Sequence, residues 1–277
     1  MSWTKVARWL GLHALVATTF LWQPVFDWTS ILWLSLTMVL VSCVGVSVGM
    51  HRGLIHRSFT MRPAFRRAVM YLACHAGMGG PSAFVRMHEE RDFHQDQPTS
   101  PAIFGYQVNP LVSYVQQVFC IYVGPPVPRT HPELENPDAW VRFLDRFYLL
   151  VPVPWYGLLW LVGGWNALFW GGLFPWVIGQ NMFWLSNYIV HTSGYQNFAR
   201  PGHAEQGYNN YLIGLASFGE GFHNNHHEFP RSARMGLFRG EVDIGWWFVR
   251  LFERLGWVSD IRVATNPQRR PSVSPPA

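Results

Sequence analysis

A chain of 277 residues is enough for one large domain or two small ones, and an apolar content of 49% does not by itself separate soluble from membrane proteins. Fifteen Trp and twenty Phe favour the membrane, because aromatic side chains settle where one end is wet and the other apolar. A mean hydropathy of +0.05 excludes a chain lying wholly in hydrocarbon, so a helical bundle carrying a polar cap is expected.

From Leu10 to Phe26 the chain is almost free of charge, and from Thr29 to Met50 it is uncharged and rich in Leu, Val and Trp. Each segment is near the ~20 residues a helix needs to cross a bilayer. Gln23, Pro24 and Asp27 between them read as a polar turn, which makes the pair a hairpin. Lys5 and Arg8 precede the first segment and no small-residue cleavage site follows it, so it reads as an uncleaved span.

Next in order, Ala68 to Phe84 is apolar but carries His75 and a Gly-Met-Gly-Gly-Pro break, the pattern of an interfacial or re-entrant segment. Residues 124 to 138 are Pro-rich and read as a loop over the cap. The uncharged stretch from Phe147 through Tyr188 is long enough for two more spans, with a turn near Val162 to Asn166. From Asn266 the Pro-rich tail reads as disordered, which leaves residues 1–265 as a single membrane domain and 266–277 outside it. The fold class expected is an all-α membrane protein with four transmembrane helices in two hairpins.

Charge orients this bundle. The formal net charge is +5, and Lys5 is the only lysine. The turns near Asp27 and Gly163 hold no Lys or Arg, whereas Lys5, Arg8, Arg52, Arg57, Arg142, Arg146 and Arg200 flank the opposite ends. By the positive-inside rule both termini and the cap face the cytoplasm, in a bacterium at the inner membrane. The arginine excess is thus a topology signal, and no nucleic acid partner is expected. Cys43, Cys74 and Cys120, odd in number and each among apolar neighbours, read as small buried hydrophobes.

The histidines carry the chemistry. His223-Asn224-Asn225-His226-His227 places three imidazoles within five residues, where they would repel if protonated and have little structural use. Spacings of three and four bring side chains near one another on a helix, as a metal ion requires of a short stretch of chain. His51 and His56 end the second span; five apart, they align poorly on an α-helix, though a helix end or two adjacent metals would accommodate them. Asn187 and His191 share a face at the end of the last span. His88 falls in a cap segment. His13 and His75, without polar company, and His131 and His203, in loops, read as non-ligands. Clustering at one edge, not at mid-membrane, favours a site on top of the bundle over a transport path.

The chain resembles the membrane-bound fatty acid desaturases of the acyl-CoA delta-9 type. The matching stretches are Gly49-Met50-His51-Arg52-Gly53-Leu54-Ile55-His56-Arg57-Ser58-Phe59, then Asn187 with His191, then Gly219 through His227 followed by Phe229-Pro230. Order and spacing agree from about Leu10 to Leu255. The resemblance implies two non-haem iron ions, O2 as co-substrate, a long-chain acyl substrate at the lipid bilayer, and two electrons from an external donor. That donor would be of the ferredoxin, rubredoxin or cytochrome b5 type, served by a separate reductase. It implies His51, His56, His88, His191, His223, His226 and His227 as metal ligands, with Asn187 reaching metal through water.

The second histidine box departs from the family's His-Arg-x-His-His. This chain reads His88-Glu89-Glu90-Arg91-Asp92-Phe93-His94-Gln95. Arginine cannot ligate, since it stays protonated and offers no lone pair. Positions 88, 91, 92 and 95 share a helical face from which His94 is rotated away, so Asp92 is preferred to His94 as substitute ligand. Alternatively Arg91 and Asp92 pair with each other and one metal position is weakened or vacant. Arg57 and Arg86 are candidates to receive a phosphate-bearing carrier, or else lipid anchors. The function expected is introduction of a double bond into an acyl-CoA or acyl-lipid chain. A fatty acyl or lipid hydroxylase on the same scaffold, and a non-catalytic metal-binding or transport protein, are the alternatives.

Overall fold

The computed structural model describes residues 3–21, 26–95, 100–101, 104, 106, 108–118, 131–202 and 206–270. Gln23 and Pro24 of the expected turn, the Lys5 side chain, Cys120, His203, the first part of the Pro-rich stretch and residues 271–277 lie outside the described residues.

The described chain is mostly helical. Helix α1 (Trp3–Leu21) begins seven residues before the apolar segment at Leu10. Asp27 then caps α2 (Trp28–Thr37): its carboxylate accepts from the backbone N–H of Thr29 (2.9 Å) and Ser30 (3.1 Å), while Ser30 Oγ accepts from Asp27 N. From Met38 the helix continues to Ile55 with π winding, a form that rarely exceeds one turn. Gly45 and Gly49 on this segment let α3 (Pro63–Cys74) approach closely; a Cβ at Gly45 would lie 2.8 Å from the backbone nitrogen of Ala73. Val48, Val69 and Phe252 pack together behind that contact.

The stretch Ala68 to Phe84 divides between two helices. Helix α3 stops at Cys74, Gly77 and Gly79 turn the chain with positive φ, and α4 (Pro81–Gln95) begins on the proline. Helix α5 (Pro110–Val118) follows. Part of the expected Pro-rich loop is also helical: His131 caps α6 (Pro132–Glu135) and Asp138 caps α7 (Ala139–Phe147). Arg66 fastens both to α3 through Glu133 (2.6 Å) and Asp138 (2.8 Å).

Helix α8 (Val153–Leu168) breaks where the sequence suggested, at Gly163 and Gly164, the latter at φ 60°, ψ −150°. A π turn (Phe169–Leu173) leads into α9 (Phe174–Thr192). The side-chain amide of Asn166, just after the break, donates to Thr29 Oγ1 and Ser30 Oγ (3.2 Å each), so the start of α2 beside Asp27 meets the chain just past the Gly163-Gly164 break. Thr37 Oγ1 donates to Gly171 O (2.6 Å) further along.

Two helices, Trp28–Ile55 and Val153–Thr192, are long and apolar enough to cross a membrane, and Val6–Leu21 is a shorter apolar helix. Leu21, Trp28, Leu32, Trp160 and Leu161 stand exposed on these elements. Large apolar side chains exposed on helices of this length suit lipid better than water.

The polar end is built from α10 (Tyr211–Ala216), α11 (His223–Glu228) and α12 (Ile244–Arg254), stitched to the bundle by strand β1 (Thr60–Met61) pairing antiparallel with β2 (Val258–Ser259). The expected disorder from Asn266 does not hold for the first residues of the tail. Arg270 exchanges backbone hydrogen bonds of 2.7 Å with Asn197 and Ala199, which satisfies donors that a free tail would leave to water. Cys43 and Cys74 are unpaired and buried in apolar clusters, as expected.

Candidate metal centre

The π winding explains the spacing of His51 and His56. The wider π winding, with hydrogen bonds spanning five residues, brings both rings toward the same side, and His56, the residue that ends the helix, donates its N–H to His51 O at 3.0 Å. From α4, His88 joins them. The three Nε2 atoms lie 2.9 Å (His51 and His88), 3.1 Å (His51 and His56) and 3.3 Å (His56 and His88) apart. Two imidazole nitrogens on one transition-metal ion at about 2.1 Å would be roughly 3.0–3.4 Å apart. The spacing therefore fits a shared ion. His226 completes this first group, its ring centroid 4.7 Å from that of His51 and 4.5 Å from that of His56.

A second group gathers His191, at the end of α9, with His223 and His227. Helix α11 thus splits its three histidines. Residues 223 and 227 are four apart and point together, whereas 226 is turned by about 100° from 227 and serves the first group. The Nε2 atoms of His223 and His227 are 2.9 Å apart. His191 Nδ1 donates to Gln206 O (3.0 Å), which leaves its Nε2 lone pair facing the group.

Burial, and after it the charge of neighbouring groups, pushes the imidazoles of His56, His223, His226 and His227 well below their ordinary pKa. They are therefore held neutral, the form that binds metal.

Carboxylates stand behind the first group. Glu220 lies 2.5 Å from His51 Nδ1 and also takes the Ser47 hydroxyl at 2.5 Å. Burial opposes ionisation of Glu220, but His51 and Arg52 prevail and hold its carboxyl down to about 2. Asp92 lies 3.0 Å from His88 Nδ1, on the far side of that ring from the converging nitrogens. It is not among the converging ligand atoms of either group, which departs from the expected direct ligation. The reason is geometric: four residues on along α4, it meets the flank of His88 before it can reach the ion position.

Arg91 stands inside the second group. Its Nη2 contacts His191 Nε2 and lies 2.8 Å from His223 Nε2, and its Nη1 donates to Asn187 Oδ1 at 2.9 Å. Arg91 and Asp92 therefore diverge, each engaging a different histidine group. His94 stacks on Phe104, away from both groups, as its helical position suggested. Arg86 pairs with Glu90 (3.3 Å) at the cavity described below, and Arg57 is exposed.

Several positioning residues were not singled out from sequence. Arg52 is fully buried and gripped by Asp243 through both nitrogens (3.0 and 3.1 Å), by Glu220 and by the carbonyls of Ala233 and Phe218. It locks the π segment to the cap beside His51. Asn224 accepts the backbone N–H of Asn197 and Phe198, while Asn225 joins Asn197, Asn209, Glu241 and Met235 O, so the residues between the histidines anchor α11. The amides inside the histidine run were the available signal. His13 has polar company after all, in Asn181 (2.8 Å), and His131 bonds Leu54 O (3.0 Å) instead of lying in solvent; neither joins a metal group.

A cavity of about 950 Å³ opens from the groups. His51, His88 and His223 line it at one end, and Thr37, Tyr156 and Gly171 line it deep in the bundle. Its walls are mainly apolar, within the size range of small-molecule sites.

No protein-family model matches the chain. Its relatives are nonetheless informative. The chain is 30% identical to an acyl-CoA 5-desaturase of Anemone leveillei, over 94% of its own length and 79% of the relative's. It is 29% identical to an sn-2 palmitoyl-lipid 9-desaturase of Nostoc sp. (strain 36), covering 97% and 92% of the two chains, and to an sn-1 stearoyl-lipid 9-desaturase of Anabaena variabilis, covering 97% and 96%. The chain belongs to the fatty acid desaturase family and is an oxidoreductase of lipid metabolism with metal-binding histidine groups. Desaturase relatives together with two histidine groups fit a metal-dependent fatty acyl desaturase, and neither the hydroxylase nor the non-catalytic alternative is favoured.

Proposed function

We propose that this protein introduces a double bond into a long acyl chain, carried by a lipid or by coenzyme A, using iron, O2 and two electrons from a separate redox protein. One observation carries the reading: imidazole nitrogens at metal-binding spacing converge on the mouth of a deep apolar cavity. Iron bound there would supply the reduction of O2 to two waters, taking two external electrons, two protons from solvent and two hydrogens from neighbouring methylenes. The chain's own residues do the rest. His51, His56, His88 and His226 would hold the ion, and Glu220 and Asp92, behind two of them, orient the rings and raise their basicity. The apolar walls hold the acyl chain and exclude water from the reacting carbons.

The membrane arrangement proposed is four spans with both termini and the metal centre cytoplasmic. Supporting it, Asn166, just past the Gly163-Gly164 break, bonds the start of α2, and His51, His56 and His191 lie at the opposite ends of these helices. Arg86, on the cavity wall, is the better placed of the two arginines to receive a headgroup or carrier phosphate.

Expression in a host lacking its own desaturase, followed by mass spectrometry of total fatty acids, should reveal a new monounsaturated chain. Hydroxylated chains without any new double bond would overturn the proposal.

A further inference from the structure

We infer that Arg91 closes the second metal position in this chain, so that the resting protein holds one resident ion, at His51, His56, His88 and His226. The inference rests on the desaturase reading for the presence of iron, but its argument comes from α4. The Arg91 guanidinium lies among the groups that would face a second ion: it reaches the Nε2 atoms of His191 and His223 and the Oδ1 of Asn187. A guanidinium has only donors and stays protonated. Its N–H groups therefore engage the lone pairs that a metal would need. The tautomer of His191 is set for this, because its Nδ1 proton is committed to Gln206 O and its Nε2 can only accept.

Charge acts in the same direction. A divalent ion among His191, His223 and His227 would stand within a few ångströms of a fixed positive charge in a buried site, where repulsion is weakly screened. Entry of a second ion thus requires Arg91 to surrender its contacts and swing out. The first group differs. Arg52, the buried cation behind His51, is neutralised by Asp243 and Glu220.

The test is a metal count on the full-length protein in detergent. Protein reconstituted anaerobically with isotopically enriched ferrous iron and then desalted should retain one iron per chain, with the Mössbauer spectrum of an isolated ion. Arg91→His should retain two irons that couple magnetically after oxidation. Two coupled irons in the unmodified protein, one iron in Arg91→His, or no retained iron in the unmodified protein would each overturn the inference. Parallel fatty acid analysis keeps the two proposals apart. One isolated iron without a new double bond sinks the desaturase reading alone, whereas two coupled irons with a double bond sink only this one.

Discussion

The two histidine groups are near neighbours, with the rings of His223 and His226 only 5.7 Å apart, yet they are built on different logic. The first draws imidazoles from the π segment, from the residue that ends it, from α4 and from α11, with carboxylates behind His51 and His88. The second draws three imidazoles from α9 and α11 and meets a guanidinium from α4. A single helix therefore presents a lone pair at residue 88 and a permanent cation at residue 91. Counting histidines does not measure metal capacity; what stands between them does.

The largest expected effect separates the groups directly. His56→Ala should abolish both bound iron and desaturation, because it removes a nitrogen 3.1–3.3 Å from two others in the resident site. His227→Ala should impair turnover while leaving iron content near that of the unmodified protein. Equal iron loss in the two variants, measured by elemental analysis, would erase the distinction.

Next in size is the support behind the first group. Arg52→Met leaves Asp243 buried without its cation, and breaking such a pair from one side costs about 3–5 kcal/mol. The apparent melting temperature in detergent should fall by many degrees, with iron loss following. A smaller change is expected for Asp92→Ala, which strips the carboxylate from behind His88. Outer-shell partners of this kind typically contribute about 10–100-fold in metal affinity. Competition with a chelator reads this directly, and unchanged affinity would remove Asp92 from the centre.

Much of this could be seen in the sequence, for identifiable reasons. The helix start at Asp27 and the helix break at Gly163-Gly164 followed from uncharged apolar stretches interrupted at those residues, and both interruptions are where backbone chemistry requires them. The histidine groups followed from residue type and clustering. The pairing of His51 with His56 looked poor because α-helical geometry was the yardstick, and π winding is too rare for a sequence pattern to signal. Arg91 was read as a missing ligand or as a partner for Asp92; that it points into the space of the absent ligand depends on how α4 sits against α9 and α11, a tertiary fact. The anchoring role of Asn224 and Asn225 was hidden for the same reason, since their partners lie 10 to 28 residues away.

The smallest expected effect concerns Asn187, where the two accounts of the second group make opposite forecasts. Its Oδ1 accepts from Arg91 Nη1 at 2.9 Å, a charge-assisted bond of the kind that contributes about 1.5–3 kcal/mol. Asn187→Leu should loosen the guanidinium and ease entry of a second ion by about tenfold, the lower end of that range. Asn187→Asp is the sharper variant. If Asn187 serves Arg91, a carboxylate there pairs with the guanidinium more strongly and the second ion binds still more weakly. If Asn187 instead serves a metal through water, the same carboxylate adds a charged oxygen ligand and the second ion binds more tightly. Cobalt(II) titration of the apoprotein followed by absorbance distinguishes the two, because the sign of the change, not its size, decides which cation the second group was built to hold.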